Sequence, residues 1–170
     1  MLLRTTLLLL GLLLAGPTAA RGVYQTPEDF LAEAFAGDPP PPAVVWLTGD
    51  TGKAVAEILQ HKPGRLRIRY WARDARSAWI LEEIGKEKPI TAGFIVQDGR
   101  LEKMRVLVFR ESRGDEIRLP FFTRQFEGAR LTDANALDRT IDNITGATLS
   151  VRAMRKLGRV ALLLDQAIRQ

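Results

Sequence analysis

The 170-residue sequence has no cysteine and a single histidine, His61. Without thiols there can be no disulfide, no thiolate-held zinc or iron–sulfur centre and no cysteine nucleophile. One imidazole cannot build a histidine metal cluster. No serine or threonine has a histidine near it in sequence to serve as its base, and hydroxyls without a base are poor nucleophiles. His61 precedes Lys62-Pro63-Gly64 and reads as the end of a helix, where a cationic side chain suits the carbonyl end. No metal site and no catalytic acid–base set is expected. Positive charge is present but not gathered: 25 basic residues stand against 20 acidic ones, and the arginines are scattered through alternating runs. That pattern reads as a solvated strand face and excludes the basic patch of a nucleic-acid binder.

Long apolar runs are also missing, with one exception at the start. Met1-Leu2-Leu3-Arg4, a leucine-rich run to about Ala15 and the small residues of Gly16-Pro17-Thr18-Ala19-Ala20 have the layout of a secretory signal over residues 1–20, cut before Arg21. The run is shorter than the ~20 residues of a membrane span; kept uncleaved, it would be an N-terminal anchor instead. No cysteine follows it, which excludes a lipoprotein anchor. Loss of Arg4 with the signal leaves 24 basic and 20 acidic residues, a mildly basic mature chain about one domain long. Apolar residues make up 46% of the sequence, enough for a core that needs no disulfides.

In the mature chain, Thr26-Pro27-Glu28-Asp29 is a helix start: hydroxyl cap, proline at the first helical place, acids in the first turn. Phe30, Leu31, Ala34 and Phe35 form its apolar face, and the prolines at 39–42 make a stiff connector. Residues 21–43 are therefore an N-terminal helix and connector, peripheral to a main domain at 44–170. Val44 to Leu47 is a short strand. Gly49-Asp50-Thr51-Gly52-Lys53 hints at a phosphate loop but fails its spacing and lacks the Ser/Thr after the lysine, so it reads as a turn before a helix from about Ala54 to His61. Residues 65–83 alternate as a hairpin, 82–89 read as a charged loop, and Ile90–Gln97 and Leu101–Phe109 pair across an Asp98-Gly99 turn. From Leu149 the apolar residues Val151, Met154, Leu157, Ala161, Leu164 and Ile168 share one helix face, with Arg152, Arg155, Lys156 and Arg159 on the other, expected to face solvent. The fold class is α+β: a twisted antiparallel sheet of hairpins packed by a C-terminal helix.

The stretch that opens this helix is Asp142-Asn143-Ile144-Thr145-Gly146-Ala147-Thr148-Leu149-Ser150. From its residue types alone, Thr148 or Ser150 is an ordinary helix N-cap, and Asn143-Ile144-Thr145 is a glycosylation sequon. The stretch also resembles the attachment motif of the FMN-binding domain family, which includes flavoprotein components of the sodium-pumping NADH:quinone reductase and of the Rnf complex. Asp142, Thr145, Gly146, Ala147, Thr148 and Ser150 fill every fixed place of that motif.

The resemblance implies FMN held covalently on Thr148 by a phosphodiester, after a flavin transferase moves it from FAD. Gly146 gives that enzyme close access to the backbone, and the helix N-terminus favours the phosphate. In larger relatives a Glu-Thr-Pro-Gly loop lies near the flavin. Glu111 and Gly114 match its ends, while Ser112 and Arg113 depart from its middle. The resemblance places this loop at the flavin, with Arg113 near the phosphate or the N1–C2=O edge of the ring. Phe121, Phe122 and Phe126 are either core or a wall for the ring, and the family's Phe-x-x-Gln-Phe-x-Gly run points to Phe126.

Further implications are an electron carrier or a redox component of a larger assembly rather than a stand-alone enzyme, working between a membrane donor and a periplasmic acceptor. Its expected place is the periplasm or another exported site, alone or membrane-associated. The alternative is a non-enzymatic periplasmic binding module in which the motif only caps a helix. A third reading is a flavin-dependent reductase acting directly on a small periplasmic substrate.

Overall fold

The computed structural model describes residues 22–170. The expected signal at 1–20 and its cleavage before Arg21 lie outside the described residues. Five strands pair antiparallel in chain order: β1 (Ala43–Trp46), β2 (Arg67–Arg73), β3 (Arg76–Ile84), β4 (Pro89–Gln97) and β5 (Arg100–Val108). The α+β sheet of hairpins is as the alternation predicts. The β4–β5 turn is Asp98-Gly99, and both residues have positive φ, 52° and 69°, which a two-residue hairpin turn of this hand requires.

Strand periodicity divides the side chains between two faces. Trp79, Phe94 and Met104 align across β3, β4 and β5 on one face. They join the larger core beneath α4 (Thr148–Ala167), which packs on all three strands and on α2 (Gly49–Leu59). Ala78, Ile95 and Leu107 fall on the opposite face. There α1 (Pro27–Ala34), capped by Thr26 Oγ1 accepting from Asp29 N–H at 3.1 Å, lays Phe30 and Leu31 on the strands. Gly93 makes room: a Cβ there would sit 2.6 Å from the Phe30 ring. The helix expected as a peripheral addition thus fills one face of the sheet.

Three expectations are corrected. The second helix begins at Gly49, not near Ala54. Its first turn folds back on the preceding strand so closely that a Cβ at Gly52 would lie 2.5 Å from the Leu47 carbonyl oxygen. That contact accounts for the glycine that suggested a phosphate loop. Next, Glu82 and Glu83 belong to β3 rather than to a loop. Glu83 points under α4, where its carboxylate meets His61 Nε2 at 3.0 Å and Lys156 Nζ at 3.5 Å. A strand can carry an acid inward when cations meet it there. Finally, the basic side of α4 is not simply solvated. Lys156 Nζ donates to the Leu59 carbonyl at 2.6 Å, Arg155 donates to the Ile141 carbonyl and Arg159 to that of Asn135.

Candidate functional site

The motif forms the turn that enters α4. Gly146 has φ +83°, and a Cβ there would meet nothing within 4 Å, so the glycine serves the backbone and leaves open space above it. Ala147 N–H closes the turn on the Ile144 carbonyl at 2.9 Å. The helix N-cap is Ala147, whose side chain cannot cap, and Thr148 is the first helical residue. Neither Thr148 nor Ser150 therefore caps the helix, and the cap assignment is overturned. Among the described residues the first-turn N–H groups take no acceptor from a side chain or another segment. They and the dipole of a 20-residue helix face outward at its head.

The Thr148 hydroxyl is exposed. It accepts from Asn143 Nδ2 at 3.0 Å, which leaves its own proton unspent. The same bond occupies the sequon asparagine. Asp142 is exposed, and its N–H donates to Gln125 Oε1 at 2.7 Å, tying the motif to the phenylalanine segment. Thr145 is exposed in the turn, whereas Ser150 is buried one turn in.

The loop after β5 reaches the motif through Gly114. At φ +93° its Cα lies against the turn: a Cβ would sit 3.1 Å from Ser150 Oγ and 3.2 Å from Ala147 Cβ. Arg113, next to it, is exposed and makes no hydrogen bond or ion pair among the described residues. Glu111 turns the other way. Its Oε1 accepts the N–H groups of Lys86, Glu87 and Lys88 at 2.6–2.8 Å and so shapes the β3–β4 turn. Burial would push its carboxyl up, but those three N–H donors and the Lys88 charge outweigh it and hold the group below the usual range. Of these loop residues, Gly114 meets the motif turn and Glu111 builds the neighbouring one. Phe126 lies in the core with no exposed surface, edge-on to Phe122 at 5.5 Å between ring centres. Of the three phenylalanines, only Phe121 is open, on the four-residue helix α3 (Pro120–Thr123), and its carbonyl accepts from Gln125 Nε2.

Sequence reasoning missed a groove farther along the face of α4 that carries Thr148. Arg152, Arg155 and Arg159 follow Thr148 at i+4, i+7 and i+11, so all four lie on one helix face. With Lys156, Ile58 and Gln60 they line a cleft of about 420 Å³ between α4 and the end of α2. Among the described residues none of the three guanidiniums meets a carboxylate. Arg155 and Arg159 are pinned instead by main-chain carbonyls. The buried Nε of Arg155 has no partner among the described residues, and burial pulls Arg159 below its ordinary pKa. The 3.6-residue period that marked the apolar face carried this signal too, in the spacing of the arginines from Thr148.

An exposed hydroxyl, an open helix head and uncompensated cations fit a phosphate ester. Residues 85–162, from the β3–β4 turn through most of α4, match the model of the FMN-binding domain family. Over those residues the chain is similar to an FMN-binding domain. The crystal structure of Shewanella oneidensis NqrC is similar to it in fold, with a TM-score of 0.59, 11% identity, and coverage of 84% of this chain and 96% of that one. No curated protein matches the sequence. Within 85–162 the residues that could hold FMN are Thr148, the backbone of the α4 head and the groove arginines.

Proposed function

We propose that this FMN-binding protein carries its flavin covalently on Thr148 and serves as an electron carrier outside the cytoplasm, between a membrane donor and a soluble acceptor. The observation that carries the proposal is the Thr148 hydroxyl: exposed, at the open head of α4, and not used as a cap. In the attachment step Thr148 Oγ forms a bond to the FMN phosphorus of FAD, the pyrophosphate P–O bond breaks and AMP leaves. The hydroxyl proton passes to a base of the flavin transferase, because Asn143 donates to Oγ and cannot accept that proton.

Once attached, FMN supplies one- or two-electron chemistry, and the protein holds and tunes it. The covalent bond suits a compartment where lost cofactor is diluted away. The α4 N–H groups would hold the phosphodiester, and Gly114 lets the 110–114 loop close on the turn that bears Thr148.

The test is intact mass of the protein exported from a host that has the transferase, beside Thr148→Ala. A gain of one FMN less one water, absent in the variant, supports attachment. An unmodified wild-type mass, in a host that flavinylates a control protein, overturns it and leaves a binding module.

A further inference from the structure

The groove along the Thr148 face of α4 is lined mainly by cationic side chains. Its three guanidiniums are uncompensated by acids, two are fixed in place by carbonyls, and an orphaned N–H is buried among them. Holding like charges together in a partly dry cleft costs stability unless something anionic offsets it. Thr148 is not among its lining residues but lies on the same helix face, with Arg152 about 6 Å and Arg155 about 10 Å farther along the helix axis by the 1.5 Å rise. Side chains on a helix lean toward its N-terminus, so Arg152 leans toward Thr148.

We infer that the Arg152–Arg155–Arg159 groove is the cradle of the tethered flavin, and that its charge raises the flavin's affinity for electrons. The inference rests on the Thr148 attachment proposed above. Arg152 faces the phosphodiester. Arg155, Arg159 and Gln60 present donors toward the ring's carbonyl and N1 edge, while the arginine stems offer an apolar surface for its plane. A ring that takes up two electrons and one proton keeps one negative charge, and fixed cations stabilise that charge more than the neutral oxidised ring.

The experiment uses the full flavinylated protein. Intact mass first establishes that FMN is present, so failure of attachment is seen separately. Midpoint potential, visible circular dichroism of the flavin and quenching of its fluorescence by neutral acrylamide are then compared with Arg152→Gln and Arg159→Gln. The wild type is expected to show induced dichroism and weak quenching. Each variant is expected to disfavour reduction about tenfold, a fall of about 30 mV for two electrons, and Arg→Lys is expected to recover most of it. If Arg159→Gln does not fold, the exposed Arg152→Gln decides alone. Flavin quenched as freely as dissolved FMN, or potentials equal to wild type at full flavinylation, overturns the cradle. A salt-sensitive loss of electron transfer with unchanged potential also overturns it, and assigns the groove to an acidic protein partner.

Discussion

At the scale of single residues, the site depends on one position where a side chain would be strained and crowded. Gly114 combines a left-handed backbone with contact distances to Ala147 and Ser150 that a methyl group would crowd. Gly114→Ala is expected to cost about 1–2 kcal/mol from the backbone alone, seen as a lower midpoint in denaturant unfolding, and to separate the loop from the α4 head. Thr148→Ala is expected to leave stability near wild type, because its exposed hydroxyl holds one side-chain amide and caps nothing. Comparison of the two variants separates the shape of the site from its chemistry. The sequence already marked Gly114 and Thr148, because a short motif is written in residue identities. It could not show that Glu111 serves the neighbouring turn, since that depends on three N–H groups more than twenty residues away converging on one oxygen.

At the scale of elements, α2 is held at its end by charge. His61 Nδ1 lies 2.9 Å from the Lys62 carbonyl, and Nε2 faces the Glu83 carboxylate. Only the doubly protonated ring donates to both. The Lys62 carbonyl first, and Glu83 next, raise its pKa, against burial and the Lys156 charge. A raised folded pKa means that the stabilisation is complete below the unfolded value of about 6.5 and is lost as pH rises through the folded value. Melting temperature measured from about pH 5 to about pH 8 is expected to fall across that window, and His61→Gln is expected to remove this part of the slope. A slope unchanged in His61→Gln would place the pH response elsewhere.

Helix periods and turn residues made the order and type of the elements legible, including the Asp98-Gly99 hairpin. The inward Glu83 was not legible, because an acid in a charged run gives no sign of which cations tertiary packing will bring to it. A similar limit hid the buried chain in which Trp79 Nε1 donates to Ser77 Oγ, Ser77 donates to Asp165 at 2.6 Å, and Arg169 closes on Asp165. It ties the far end of α4 to β3 across 88 residues of sequence. These polar links set how α4 is seated, and therefore where Thr148 stands.

At the scale of the whole molecule, the two sheet faces have separate tasks. One is closed by α1, with Phe30 on Gly93, and the other by α4 and α2, which also build the site. Without cysteine, this scaffold gains nothing from an oxidising compartment, and its melting temperature is expected to be the same with and without reductant.

The sheet order that copies the chain order has a consequence in time. From β2 to β5 each strand meets its immediate neighbour across a turn of two to four residues, so little entropy is lost before those contacts form, while β1 joins β2 only across the 20 residues that hold α2. Such a meander can zip from any hairpin, and stopped-flow refolding is expected to be faster than for a Greek-key sheet of equal length. Helix α4 comes last along the chain, so the turn bearing Thr148 can meet Gly114 only after every strand has been synthesised. A transferase that modifies only the assembled turn would thereby mark chains that have finished folding.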